Sequence, residues 1–256
     1  MRKLVISLSL LGAAAALFAA AGSARQAATF KYCTDPTFPP MEYATSSGKI
    51  VGFDVDMAAK LAPTWSDTAS PLKTAFPGLI PALNAKKCDA VISGIFITPD
   101  RKKQAGVVSY MKTHRVLIVK AGNPKGVHSP NQLKGLTVAV QAGTKYEEYL
   151  KALKAKIGFT LQSYPGDTDA VAQVLLGRAD AVLTQDTSFA YQTKQHPGKI
   201  AIGFTFAASD QFGIYYRKGD AATVGMQISD GIAQLKSNGT LVKIATKYKI
   251  PVTTVK

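Results

Sequence analysis

The chain has 256 residues, 46% hydrophobic and 18% charged, with a formal net charge of +15. This is a globular composition with enough apolar material for one large core or two smaller ones. The lysines are scattered (Lys86-Lys87, Lys102-Lys103, then Lys151, Lys154 and Lys156 along one helix), without the basic block and interleaved aromatics that nucleic-acid binding needs. The two cysteines and three widely spaced histidines offer no four-ligand metal set, so neither a metal nor a cofactor is expected.

Arg2 and Lys3 precede an apolar run from Leu4 to Ala21, and Gly22-Ser23-Ala24 follows with small residues. Residues 1–24 therefore read as a secretory signal peptide, which places the mature protein in the periplasm. No later segment approaches the roughly 20 apolar residues of a membrane span.

Thr29 to Cys33 reads as a first strand, closed by Thr34-Asp35-Pro36. Phe38-Pro39-Pro40-Met41-Glu42-Tyr43 reads as a stiff extended loop, because each proline fixes its own φ and restricts its predecessor. Asp54 reads as the N-cap of a helix through Leu61. A strand near Leu72 to Ala75 and a helix from Pro77 to Lys86 follow, the latter with Leu79, Ile80 and Leu83 on one face. Beyond Arg101, strands are expected at Arg115–Lys120, Leu136–Val140, Phe159–Tyr164, Ala179–Thr184, Phe204–Phe206 and Phe212–Arg217. Helices are expected from Gly143-Thr144 to about Lys156, from Asp167 (as its cap) to Gly177, from Thr187 to Lys194, from Asp220 to Lys236 and from Thr240 to Lys247. Strand and helix alternate throughout, which predicts an α/β fold with parallel-rich sheets.

One stretch carries chemistry. Ala90 to Ile92 is a short apolar run, Ser93-Gly94 breaks it, and Thr98-Pro99 pairs an N-cap residue with proline at the first helical position, so Arg101 falls in the first turn. A strand end, a loop with free N–H groups and a guanidinium meet within a few residues, which is what binding a carboxylate requires. A surface arginine at a helix start is the competing reading. A second Asp-Ala-Val, in Gly177-Arg178-Ala179-Asp180-Ala181-Val182, repeats the pattern of Asp89-Ala90-Val91. Two similar α/β units with polar loops at their strand ends would face one another across a ligand cleft.

At these residues the sequence resembles the periplasmic solute-binding proteins of ATP-binding-cassette importers for polar amino acids. The matching pieces are Thr34 to Tyr43, Gly52 to Asp56, Phe76 to Leu83, Ser93 to Arg101, Gly143-Thr144, Gly177 to Val182 and Asn238-Gly239-Thr240. The resemblance implies a two-lobe fold with an interlobe cleft and two crossings. Lobe one would be residues 25–112 plus 208–256, and lobe two residues 113–207. It implies a monomer that captures a small polar amino acid or related carboxylate for a membrane permease. It makes Arg101 the grip on the α-carboxylate, with backbone donors from Ser93, Gly94 and Thr144. Phe38 and Phe76 become an aromatic sandwich with Asp35 as polar reader.

Three positions depart from the family pattern. Phe96 and Lys145 replace residues that usually offer a hydroxyl. Gln185 stands where an Asp usually pairs with the α-ammonium, with Asp186 next to it. Either Asp186 turns in to serve, or it only caps the following helix and the ligand lacks a conventional ammonium, because a buried ammonium without a carboxylate is costly. The alternative function is a periplasmic dehydratase of the cyclohexadienyl type, for which Asp35, Asp186 and Lys145 are the candidate acids. Cys33 and Cys88 are expected to stay unbonded. On neighbouring strands their offset of three residues would be about 10 Å, beyond the roughly 7 Å that a disulfide spans.

Overall fold

The structure is a computed structural model that describes residues 28–256; the predicted signal peptide lies outside the described residues. β1 (Thr29–Thr34) is followed by three short strands, β2 (Thr37–Phe38), β3 (Glu42–Ala44) and β4 (Ile50–Val51), which form an antiparallel sheet of their own. The stiff Pro39-Pro40 segment is the turn between β2 and β3, closed by the Met41 N–H donating to the Phe38 carbonyl at 2.9 Å. α1 (Phe53–Leu61) begins at Gly52. Asp54 is therefore its second residue and fully buried, not its cap.

β5 (Thr68–Lys73) runs parallel to β1. After a short 3-10 turn at Phe76–Gly78, α2 (Leu79–Asn84) packs Leu79 and Leu83 over Cys33 and Val91. β6 (Ala90–Val91) leads to α3 (Pro99–Gln104), whose cap is the expected Thr98, accepting the Arg101 N–H at 3.2 Å. β7 (Gly106–Lys120) then traverses the molecule. β8 (Thr137–Gln141), α4 (Lys145–Ile157), β9 (Thr160–Tyr164), α5 (Asp167–Leu175), β10 (Ala181–Gln185) and α6 (Asp186–Gln195) build the second half. β11 (Ile200–Tyr216) returns, and α7 (Met226–Ser237) and α8 (Thr240–Tyr248) pack back on α1.

The large sheet has the order β5-β1-β6-β11-β7-β10-β8-β9. β7 and β11 are antiparallel over their whole length. Tyr215 and Tyr216 at the end of β11 pair β6, whereas β7 from Arg115 to Val119 pairs β10. These two strands therefore join the halves, with a break in register between Thr205 and Ser209. The sequence shows β11 as two separate strands. Its middle, Ala207 to Ser209, is exposed in a two-stranded ribbon with no layer over it, so no apolar alternation marks it.

Cys33 and Cys88 form a disulfide, with Cα atoms 5.7 Å apart, contrary to expectation. The offset estimate treated Cys88 as a straight extension of β6. The strand starts only at Ala90, and the chain reaches it from α2 through a turn with Lys86 at a φ of 59°. Cys88 thus sits in the layer beneath α2, beside Cys33. The bridge closes a sequence separation of 55. The chain-entropy account then gives about 4 kcal/mol. We expect the Cys33→Ala/Cys88→Ala protein to lose stability of that order in denaturant unfolding; an unchanged midpoint would show that the bridge contributes nothing.

Candidate functional site

The carboxyl ends of β1, β6, β8 and β10 and the start of α5 open on one cavity between the halves, the place where ligands bind in such sheets. Its wall behind the Ser93-Gly94 loop is built on two buried acids. The Ser93 hydroxyl donates to Glu42 Oε1 and accepts the Asp35 N–H, both at 2.9 Å. The Gly94 N–H donates to Asp54 Oδ2 at 2.7 Å, and the Tyr110 hydroxyl donates to the same oxygen at 2.9 Å. Glu42 and Asp54 are fully buried and hydrogen-bonded to each other, so one of them holds a proton. Burial and the Asp54 charge push Glu42 well above the usual range; burial pushes Asp54 up to about 6 against the donors from Gly94 and Tyr110. Ser93 thus faces backward and does not line the cavity, and the Gly94 N–H is taken up by Asp54. Gly94 has a φ of 47°, and a Cβ there would lie 2.6 Å from the Phe38 ring, so only glycine lets Phe38 cover the loop.

Phe38, Phe76 and Phe96 all line the cavity. Phe96 stacks on Phe212 at 5.4 Å and meets Tyr146 of α4 edge-on at 5.2 Å across the cleft. Where a hydroxyl was expected, Phe96 therefore adds an aromatic wall. Arg101 also lines the cavity, with its guanidinium 5.5 Å over the Phe76 ring and Nη1 donating to the Phe96 carbonyl at 3.1 Å.

The second half contributes from β8, β10, α4 and α5. The Thr144 hydroxyl caps α4 by accepting the Glu147 N–H at 3.2 Å, and it donates to the Gln141 carbonyl at 2.8 Å. Lys145 lies at the mouth, its Nζ 3.1 Å from Asp100 across the cleft and 2.6 Å from Glu148. It ties the halves together; its charge is already paired. Gln141 Nε2 donates to Asp35 at 2.7 Å, a second bond across the cleft. Gln185 lines the cavity, whereas Asp186 does not. The Asp186 carboxylate accepts from the Thr113 hydroxyl at 2.6 Å and the His114 N–H at 3.2 Å, holding α6 against the crossing strand β7. The cap of α6 is Gln185, so Asp186 is neither cap nor cavity group.

Asp167 was read in the sequence as a helix cap; Gly166 occupies that position, and Asp167 lines the cavity, buried. It accepts from Thr184 Oγ1 at 2.5 Å and Ser188 Oγ at 2.7 Å. Burial pushes its carboxyl up to about 6 against those donors. Asp35 is likewise pushed up to about 6 by burial, opposed by hydrogen bonds from Thr37, Gln141 and the Phe76 backbone, with a small upward contribution from Asp167. Asp167 and Gln141 were missed although both lie at carboxyl ends of strands, where ligands bind in such sheets.

A mostly parallel sheet in two halves joined by two long strands, with a cavity between their strand ends, defines a two-lobe solute-binding protein. Residues 30–250 match the bacterial extracellular solute-binding proteins, family 3, and the chain belongs to that family. It is similar to the histidine-binding periplasmic protein of Escherichia coli (strain K12), with 30% identity covering 97% of each chain. Among solved structures it resembles an ancestral arginine-binding protein bound to arginine (TM-score 0.82, 32% identity, 87% of this chain and 99% of the other). It also resembles an ancestral amino acid-binding protein described as a precursor of cyclohexadienyl dehydratase (TM-score 0.79, 30% identity, 86% and 95%). These relatives place the chain among the solute-binding proteins of amino-acid importers of the ATP-binding-cassette type.

The raised carboxyls set a pH dependence. Asp35, Asp54 and Asp167 each go from 3.8 to about 6 on folding. Their contribution to stability is full below about pH 4 and is lost as pH rises through about 6. The ligand-free protein should melt at a higher temperature near pH 5 than near pH 7.5 in scanning calorimetry; a melting temperature that climbs over that interval would contradict these assignments.

Proposed function

We propose that this protein captures an amino acid with a cationic side chain in the periplasm and delivers it to a membrane permease. It would do so as a monomer, after removal of residues 1–24, closing residues 25–112 plus 208–256 against residues 113–207. The observation that carries this reading is a charge imbalance. Three carboxyls line the cavity; Glu42 shares a proton with Asp54 behind the wall, which leaves Asp35 and Asp167 against one guanidinium, Arg101, while Lys145 is paired at the mouth. A buried carboxylate without a cation is costly. A ligand with one carboxylate for Arg101 and two cationic groups balances the interior. Phe38, Phe76 and Phe96 favour the same ligand, because aromatic faces attract cations. The histidine-binding and arginine-binding relatives agree in kind.

The test is a melting-temperature screen of L-arginine, L-lysine, L-ornithine and L-histidine against L-citrulline, L-glutamine and L-norleucine. Stabilisation reaches about 2.7 kcal/mol at a hundredfold excess over the dissociation constant. Stabilisation by the cationic set alone supports the reading, and an equal response to the neutral set overturns it. For the ligand so found, Arg101→Ala should cost about 2–5 kcal/mol of binding, roughly 30-fold or more in affinity, with the fold intact. Calorimetry showing wild-type affinity in the folded variant would remove Arg101 from the site.

A dehydratase on this scaffold has one supporting observation: Asp35 and Asp167 are held near the pKa that a general acid uses. Prephenate and arogenate each carry two carboxylates, however, and a cavity lined by three carboxyls and one guanidinium opposes them. Formation of aromatic product on incubation with either compound would establish the enzymatic reading.

A further inference from the structure

The family resemblance calls for an ammonium-binding carboxylate at the end of β10. Gln185 occupies the position where the family resemblance calls for an Asp, and its side chain is neutral. The neighbouring Asp186 offers no replacement, because its carboxylate is bonded to Thr113 and His114 on the crossing strand and does not reach the cavity. Asp167, on a different element, lines the cavity together with Gln185. It is 4% exposed.

Its surroundings fix it as an acceptor. Thr184 Oγ1 and Ser188 Oγ, from the end of β10 and the first turn of α6, both donate to it, one to each oxygen. Neutral hydroxyls orient a carboxylate without cancelling its charge, and no ion pair is found for Asp167 among the described residues. Each carboxylate oxygen can accept a further hydrogen bond. Of the other carboxyls in the lining, Glu42 shares a proton with Asp54, and Asp35 sits across the cleft on the first half and receives Gln141. The two acids therefore stand on opposite halves.

From this placement we infer that Asp167 is the partner of the ligand's α-ammonium, so that in this protein the charge has passed from the end of β10 to the first residue of α5, and that Asp35 answers the side-chain cation. This rests on the reading of the site as one for a cationic amino acid. It makes the ammonium partner part of the second half, on the same short segment whose Gly166 packs against Thr37 of the first half, where a Cβ would come within 2.8 Å. Binding of the ammonium at Asp167 would then be coupled to closure of that contact.

The experiment compares L-arginine and L-lysine with their des-α-amino analogues by calorimetry near pH 7.5, each protein's fold being checked by its melting transition. Wild type should favour each amino acid over its des-amino analogue by roughly 30-fold or more, the loss expected when one partner of a desolvated charged pair is removed. Asp167→Asn should shrink that ratio to a few-fold while keeping the preference for L-arginine over L-citrulline. Asp35→Asn should do the reverse. Asp186→Asn should keep the full ammonium ratio. An undiminished ratio in folded Asp167→Asn, or a collapsed ratio in Asp186→Asn, overturns the assignment while leaving the cationic-ligand reading in place. If Asp167→Asn does not fold, Asp186→Asn still decides between the two carboxylates. Failure of wild type to bind either amino acid overturns the reading of the site and this assignment with it.

Discussion

A carboxylate in a water-poor interior is stable only opposite a cation, a set of donors or a shared proton, and the described residues bury four acids around one cavity: Asp35, Glu42, Asp54 and Asp167. They are accommodated in two ways. Glu42 and Asp54 hydrogen-bond to each other and keep a proton, which lets them anchor the Ser93-Gly94 loop from behind. Asp35 and Asp167 have only neutral donors, from Gln141, Thr184 and Ser188. The first pair fixes the shape of the site. The second pair leaves a charge that the polypeptide does not balance, and the proposed ligand chemistry is built on it.

The same groups connect the site to the strands that join the halves. β7 and β11 are continuous through both halves, and their pairing is irregular where they cross. Asp186 bonds Thr113 and His114 at that crossing, and Arg115 pairs with Asp210 at 2.9 Å. Across the cleft the contacts are few and polar at the rim, Lys145 with Asp100 and Gln141 with Asp35, and aromatic inside, Phe96 with Tyr146. The Lys145–Asp100 pair at the mouth is exposed on its acidic side, so solvent and salt weaken it. On the proposed reading, a closed state held by such contacts is reversible, and a ligand that satisfies both buried carboxyls adds the larger contribution.

Much of the fold was legible because the apolar runs of β1, β8 and β10 are largely buried strands and because Thr98 caps its helix as its spacing predicts. The long crossings were not, since Ala207 to Ser209 lack a layer above them and so lack a pattern. The disulfide was misjudged because a straight-strand extrapolation cannot see the turn at Lys86. Within the site, the aromatic residues, Arg101, Asp35 and Gln185 were reached from motif positions. Asp54 and Asp167 were both read as caps, because an Asp beside a helix start looks the same whether it bonds the helix or faces a cavity. What separates the two is burial by elements distant in sequence, such as Tyr110 for Asp54 and Ser188 for Asp167. Lys145 illustrates the converse: its charge was legible, but its partner Asp100 lies on the other half.

The central claim is that two buried carboxyls, raised to about 6 in the free protein, are ionised by the ligand they receive. Its most direct measurement is the binding of L-arginine near pH 6 by calorimetry in two buffers of different ionisation enthalpy. The account predicts that binding releases protons to the buffer, and that affinity rises with pH up to about 7 and is level above it. Binding without proton release, with an affinity independent of pH between about 5 and 8, would contradict it.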